Sequence, residues 1–193
     1  MRRAIGILFF LLLTIPLSCR AQDPYCRVEL VSGAPVWFYF NQASHYASGK
    51  QAPYLTVLRI TYTKRPSRLC IYHNVQQELF DGPSPSSRMR VENIRLSFVE
   101  ARYMGSGAGA WTFFPVIADN ALVQASEMEL AYADVSGIDL EGGQAVFYIY
   151  LKYSCIPRDD SPFSELEGGG YVNTFNVRVR TWYYGGGDSM WPH

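Results

Sequence analysis

Histidine is scarce in this chain, and that scarcity limits the chemistry its side chains can perform. Only His45, His73 and His193 occur among 193 residues. General acid–base catalysis most often uses a histidine held beside a nucleophile or a second acid. Cys70 and His73 are close in sequence, but residues three apart on a β-strand face opposite sides of the sheet. We therefore predict no catalytic residues and no enzymatic activity.

Sequence motifs for cofactors and metals are lacking as well. The chain contains no GxSxG, no GxxxxGK[ST] and no GxGxxG motif, the signatures of hydrolases and nucleotide-binding proteins. No two cysteines have the CxxC spacing of a zinc site. Asp134, Asp139 and Glu141 surround a glycine, but their spacing is that of a solvated turn and not of a calcium loop. We expect neither a cofactor nor a bound metal.

The chain has no excess of basic residues, which bears on its partners. It carries 17 Lys and Arg against 17 Asp and Glu. If residues 1–21 are cleaved off as a secretory signal peptide, Arg2, Arg3 and Arg20 are lost. The balance then becomes 14 basic against 17 acidic residues, a net charge of −3. Binding to nucleic-acid phosphates needs clustered lysines and arginines. Nucleic acid is therefore not an expected partner.

Long apolar runs are absent except near the N-terminus. The segment MRRAIGILFFLLLTIPLSCRAQ has two arginines, an apolar run from Ala4 to Leu17 and small residues up to Ala21, the pattern of a secretory signal peptide. This run is shorter than the ~20 residues that span a bilayer, and no later run is longer. We predict an exported protein without a transmembrane segment, located in the periplasm, at the cell surface or outside the cell.

Cysteine is infrequent, and the first of the four cysteines is compatible with two processing routes. Small residues at Cys19 and Ala21 favour ordinary cleavage before Gln22. Alternatively, Cys19 is the lipid-bearing cysteine of a lipoprotein. After ordinary cleavage, Cys26, Cys70 and Cys155 remain. In an oxidising compartment they allow one disulfide, and all three pairings stay open.

Apolar and polar residues alternate in several segments. In YVNTFNVRVRTW the odd-numbered residues from Phe175 to Val179 are apolar and the even-numbered ones are polar, and LTVLRITYT, ENIRLSF and AVFYIYLKY have the same period of two. This period predicts half-buried strands, and the Gly, Pro and Ser clusters between them predict turns. We expect an all-β protein, an antiparallel immunoglobulin-like or pilin-like β-sandwich. A single domain would cover residues 22–184, and a flexible tail residues 185–193.

Two segments do not follow the simple alternation. PVWFYF, residues 35–40, is continuously apolar, which predicts a strand covered on both faces. DNALVQASEMELAYADV fits either a short helix with Asn120 as its cap or a strand through Met128, Leu130 and Tyr132. We favour the strand.

Aromatic residues are abundant, at 4 Trp, 14 Tyr and 11 Phe. Trp111, Trp182, Tyr183 and Tyr184 lie at strand ends or beside glycine-rich loops, where flat rings could face a sugar. The competing interpretation is that strands favour aromatic residues and the core needs filling. Trp182 falls on the polar face of its strand and is expected outside the core. A carbohydrate-binding module using exposed aromatics is therefore an alternative function.

The order of these features resembles the secreted β-sandwich proteins of the pilin-like and spore-coat-protein-U-like kind found in bacterial envelopes. The shared pattern is an apolar strand, a polar N…Y…G loop, an LTV strand and a final Gly-Tyr strand. The matching residues are Phe38, Phe40, Asn41, Tyr46, Gly49, Leu55, Thr56, Val57, Gly170, Tyr171, Thr174, Phe175, Val177 and Val179.

This resemblance carries expectations about function and partners. It implies a non-enzymatic structural or adhesive, fimbrial-like component of the bacterial envelope. Such a component would assemble with itself or with other envelope proteins by strand addition at a sheet edge. The resemblance also implies a disulfide from the first strand to a later one, which Cys26 and Cys70 would supply.

Overall fold

The computed structural model describes most of the chain. The described residues are 9–14, 25–64, 66, 68–84, 86–105, 111–117, 119–135, 137–138, 140, 143–163, 166–167 and 169–182, and residues 9–14 are described by their backbone. Cys19, Tyr183, Tyr184 and the expected tail 185–193 lie outside the described residues. Within the described ranges, no helix is long and apolar enough to cross a membrane.

The described chain consists mainly of β-strands. The strands are β1 (Phe9–Thr14), β2 (Cys26–Ser32), β3 (Val36–Phe40), β4 (Lys50–Gln51), β5 (Thr56–Tyr62), β6 (Arg68–Val75), β7 (Leu79–Asp81), β8 (Arg88–Arg90), β9 (Ile94–Tyr103), β10 (Thr112–Pro115), β11 (Ala121–Leu122), β12 (Met128–Asp134), β13 (Ala145–Cys155) and β14 (Gly170–Trp182). A short helix, α1 (Ala43–Ser48), follows β3, and one turn of 3-10 helix covers Val91–Asn93. The all-β prediction is confirmed.

The strands form two sheets. The first has the order β10-β12-β6-β14-β1-β3, with β7 beside β14 and β8 beside β7. The second has the order β11-β9-β13-β5-β2, with β4 beside β13. Among the described strands, β1 and β14 pair in parallel and the other pairs are antiparallel. The predicted antiparallel sandwich is thereby confirmed.

The core lies between the two sheets and is rich in aromatic rings. Tyr153 of β13 stacks on Phe175 of β14 with ring centroids 5.2 Å apart, which joins the two layers. Tyr62 and Phe147 stack within the second sheet at 6.1 Å. The predicted alternation holds in β5, β13 and β14, where every second residue is buried. Period-two burial of this kind is what a sheet with one covered face requires.

The apolar strand β3 is covered on one face only, so the prediction of a doubly covered strand was wrong. Val36, Phe38 and Phe40 are buried, whereas Trp37 is 38% exposed. The buried residues point into the sandwich, and the intervening ones point away from it. The aromatic residues on the outer side made the segment read as uniformly apolar, although they do not lie under a second layer of the described chain.

The ambiguous segment before Asp134 is a strand and not a helix, as favoured. It contains β11 and β12, and β12 pairs with β6. The register shifts between Glu129 and Ala131, so a bulge interrupts the simple alternation. As a result Leu130 is buried while Tyr132 lies on the outer face, opposite Cys70.

No disulfide joins Cys26, Cys70 and Cys155 to one another. Cys26 pairs with Tyr62, and Tyr62 pairs with Ala145 at the start of β13, whereas Cys155 ends that strand ten residues further on. At ~3.3 Å per residue the two cysteines are roughly 33 Å apart, far beyond the ~7 Å Cα separation that a disulfide tolerates.

The pairing of Cys26 with Cys70, implied by the family resemblance, also fails for a geometric reason. Leu69 and Ile71 on either side of Cys70 belong to the core, so alternation turns Cys70 to the outer face of the first sheet. Cys26 lies in the core, on the second sheet. The two thiols therefore face different environments on opposite sides of β6.

Candidate functional site

The unusual feature of the first sheet is the position of β1, which lies between β3 and β14. Its register with β14 runs in parallel from Phe10 opposite Gly170 to Thr14 opposite Thr174. Its register with β3 is antiparallel, from Phe9 opposite Phe40 to Leu13 opposite Val36. Among the described residues, β3 joins the first sheet through β1 alone. We call the space that this strand fills the β1 slot.

The walls of the β1 slot are strongly apolar on the side that faces the core. Val36, Phe38 and Phe40 of β3 are at most 4% exposed, and Tyr171 and Phe175 of β14 are fully buried. Phe40 also contacts Phe163 edge to face, with ring centroids 5.2 Å apart. The slot therefore lies over one end of the hydrophobic core.

Asn173 ties β14 to the segment that leads into β7, opposite the part of β14 that pairs with β1. Its side-chain amide donates to the carbonyl oxygens of Gln77 at 2.9 Å and of Leu79 at 3.3 Å, and its side-chain oxygen accepts from the Thr174 amide at 2.7 Å. These bonds satisfy a side chain that is only 4% exposed. The slot wall on the β14 side is thereby held by contacts that do not involve β1.

The strand that fills the slot belongs to the segment for which cleavage is expected. Residues 9–14 fall inside the predicted signal peptide, residues 1–21. If that segment is removed, β3 and the first half of β14 lose a strand between them, and their backbone N–H and C=O groups lose ladder partners. Unpaired groups of this kind form a template for another strand.

The outer face of the first sheet carries Trp182, the aromatic residue predicted to lie outside. Trp182 is 42% exposed. Nearby, Arg178 donates to Glu127 at 3.2 Å, and Arg180 pairs with the same carboxylate. The Arg180 guanidinium also lies 4.7 Å from the centre of the Tyr72 ring. This face is polar, charged and aromatic at once.

Trp111 has a different position from Trp182, so the predicted aromatic residues do not form one platform. Its ring lies 5.4 Å from Phe147 and 5.8 Å from Phe113, both edge to face, and it packs against the core. Core filling therefore accounts for Trp111. The other two residues of that prediction, Tyr183 and Tyr184, lie outside the described residues.

Cys70 and His73 face opposite sides of β6, as predicted. His73 is buried against Phe175 and Tyr153, and the Tyr153 hydroxyl lies 3.3 Å from His73 Nε2. Burial lowers the pKa of His73 to about 3. Burial raises the pKa of Cys70 to about 12, and Glu129 beside it adds to the rise. Neither group has the pKa of a nucleophile or base near neutral pH.

Acidic and metal-ligating side chains do not converge elsewhere in the described ranges. No group of three or more His, Cys, Asp or Glu residues there could hold a metal ion. The region of Asp134, Asp139 and Glu141 is described only in part.

The sequence reasoning missed the β1 slot altogether. The run FFLLLT was interpreted through its place in a signal peptide, and a short apolar run does not by itself distinguish a strand from other buried segments. No local signal placed residues 9–14 beside PVWFYF, because pairing between segments far apart in the chain is not contained in a local pattern.

Comparison with known proteins adds one distant likeness. No protein-family model matches the chain, and no curated protein matches it. Among solved structures, the chain is similar to the E. coli Hda pilus minor tip subunit, HdaB, with 13% identity and a TM-score of 0.30. The match covers 88% of this chain and 95% of that one.

Proposed function

We propose that the mature protein is an exported, non-enzymatic structural or adhesive subunit of the bacterial envelope, and that a strand from another copy or another envelope protein completes it. The β1 slot carries this proposal. In the full chain the slot is filled by residues 9–14, which belong to the segment expected to be removed on export. The mature sandwich would then present the slot to a partner.

The walls of the slot give the reason for a partner strand. Removing β1 would uncover buried aromatic residues, including Phe38 and Tyr171, and would leave two strands without their ladder partners. Exposed apolar surface and unpaired backbone groups both destabilise a domain in water. An added strand restores both interactions, because its backbone supplies the hydrogen bonds and its alternate side chains cover the core.

The geometry of β1 defines the direction, the length and the side-chain pattern of the strand that would replace it. It runs parallel to β14 and antiparallel to β3, and it spans about six residues, the length of β1. Apolar side chains are needed at every second position, because only one face of the sheet covers the core. We therefore propose a partner segment of six residues that carries an apolar side chain at every second position.

The experiment is to supply the strand in trans. Protein comprising residues 22–193 is prepared alone and with a synthetic peptide of sequence FFLLLT flanked by solubilising lysines. We expect the protein alone to aggregate or to unfold at a lower temperature than the protein with the peptide. The peptide should raise the Tm in a saturable way, because a ligand that binds the folded state stabilises it by mass action. A peptide with Asp at the positions of Leu11 and Leu13 is the matched control.

Assembly in the envelope is tested on protein from its native source. Size-exclusion scattering and intact mass should find multimers or a complex with a second protein, with the chain starting at Gln22 or at an acylated Cys19. A stable monomer of residues 22–193 whose Tm is unchanged by either peptide would contradict strand addition.

Carbohydrate binding is a second candidate function, favoured by the exposure of Trp182 beside Arg178 and Arg180. A flat ring flanked by hydrogen-bond donors suits the apolar face and hydroxyls of a sugar. Replacing Trp182 with Ala should then abolish glycan binding at this face and leave strand addition intact. An overall glycan affinity and stoichiometry unchanged in that variant would exclude this surface.

A further inference from the structure

A cleft at one end of the sandwich has the features of a ligand site. It is formed by the turn between β2 and β3 and by the loop before β5, and has a volume of about 610 Å³. Small-molecule sites commonly measure ~300–1,000 Å³. Its two walls are residues 32–37 and residues 52–55, and they include Ser32, Trp37 and Tyr54.

The two walls of the cleft are held together by several contacts. Thr56 Oγ1 donates to the Gly33 carbonyl oxygen at 3.0 Å, and Ser32 pairs with Val57 in the ladder of β2 and β5. The Ala52 amide donates to the Tyr153 carbonyl oxygen at 2.9 Å, which fixes the second wall to β13. The cleft is therefore built into the fold.

The aromatic rings of the cleft are exposed, although the neighbouring side chains are buried in the core. Trp37 is 38% exposed and Tyr54 is 68% exposed, whereas Val36 and Thr56 beside them are almost fully buried. Contiguous exposed apolar surface rimmed by polar groups marks binding grooves, and Trp37 and Tyr54 line one and the same cleft. The Trp37 indole N–H, the Tyr54 hydroxyl and the Ser32 hydroxyl add hydrogen-bonding groups among the apolar lining residues.

The charge of the cleft restricts its ligand. None of the described residues that line the cleft is charged, so a charged ligand would lose hydration without gaining a counter-charge from them. A neutral ligand with one apolar face and several hydroxyl groups matches the rings and the polar groups together. The walls are two short segments, residues 32–37 and 52–55, which suits a ligand of one or two rings better than an extended peptide.

From this combination we infer that the cleft between Trp37 and Tyr54 is a binding site for a neutral sugar of one or two pyranose rings. The site lies far from Trp182 along the same sheet, because Trp37 is level with Val172 across β1 and Trp182 follows ten residues later in β14, roughly 33 Å away at ~3.3 Å per residue. It would give the subunit a ligand in addition to its partner strand. It adjoins the end of the β1 slot, since Val36 pairs with Leu13 and also lines the cleft.

The test is a sugar titration of the exported protein purified from an envelope fraction. Glucose, galactose, mannose and N-acetylglucosamine, and the disaccharides lactose, cellobiose and chitobiose, are added up to about 10 mM, ten times the ~1 mM Kd of a weak site. Intrinsic tryptophan fluorescence and ligand-observed NMR report binding. We expect at least one sugar to bind saturably.

Variants assign the binding to the cleft. Trp37→Ala and Tyr54→Ala should each weaken it about tenfold or more, as for the central contacts of an interface. Phe114→Ala is the matched control, because Phe114 is 40% exposed and lies outside the cleft, and it should leave the Kd unchanged. Circular dichroism confirms that each variant is folded.

Three results would overturn the inference. The first is the absence of saturable binding by every sugar of the panel. The second is binding that survives Trp37→Ala and Tyr54→Ala but is lost in Trp182→Ala, which would place the sugar at Trp182. The third is binding of a proline-rich peptide at the cleft in place of the sugars. Because multimerisation is not measured here, none of these results bears on strand addition.

Discussion

Gly33 approaches Leu55 so closely that a side chain at position 33 would collide with the neighbouring loop. A Cβ built on Gly33 would lie 2.1 Å from the Leu55 carbonyl oxygen, and the residue has φ of +78°. Both features require glycine, because other residues rarely adopt this backbone conformation and the contact is with backbone that cannot move aside. The turn between β2 and β3 can therefore pack against the loop before β5 only with glycine at this position.

We expect Gly33→Ala to lower the free energy of unfolding by roughly 2–4 kcal/mol, through backbone strain together with overpacking. Gly143→Ala is the matched control, because Gly143 has φ of +82° but no atom of the described residues lies within 4 Å of a built Cβ. It should cost only the strain, about 1 kcal/mol. Urea unfolding of both variants makes the comparison, and equal losses would show that the contact with Leu55 contributes nothing.

His73 should make the protein less stable in acid. Its pKa is about 3 in the folded protein because of burial, against ~6.5 in an unfolded chain. The unfolded state therefore takes up the proton first as pH falls. The contribution is complete above pH ~6.5 and is lost progressively as pH falls towards about 3, by roughly 1 kcal/mol per pH unit.

The variant His73→Phe removes this titration and keeps a ring that packs against Phe175 and Tyr153. Urea unfolding between pH 4 and 7 should show a shallower dependence of stability on pH than in the wild-type protein. Parallel curves for the two proteins would mean that His73 is not held neutral in the folded state.

Cys70 and Cys155 should resist alkylation in the folded protein. Both are buried, and burial raises the pKa of each thiol, so little thiolate is present to react. With iodoacetamide at about pH 8, peptide mapping should find both residues unlabelled before unfolding and labelled after it. Failure to label either residue after unfolding would reveal a disulfide or another modification at that position.

Trp111 and Trp182 should differ in their effect on stability. Trp111→Ala removes a ring that packs on Phe113 and Phe147 and should cost roughly 1–3 kcal/mol, less than a fully buried tryptophan. Trp182→Ala removes a ring that is 42% exposed and should cost less than about 1 kcal/mol. Thermal unfolding of the two variants gives the order, and a reversed order would place Trp111 outside the core.

The alternation in individual strands was the most informative part of the sequence. It correctly placed Leu58, Ile60 and Tyr62 in the core, and it put Cys70 and His73 on opposite faces of β6. It was wrong for β3, because an aromatic residue such as Trp37 looks the same in the sequence whether it lies in the core or lines a surface cleft. It could not pair the cysteines, since distances between strands are not contained in a local pattern.

By itself, the sequence determined the class of fold and the face on which most strand residues lie, since a period of two depends only on neighbouring residues and on the pleat of the chain. Only the tertiary structure decided which strands meet. It placed residues 9–14 between β3 and β14, brought Gly33 against Leu55 and separated Cys26 from Cys155. These relationships depend on pairing between residues far apart in the chain, which the packing of the whole core selects and local periodicity does not specify.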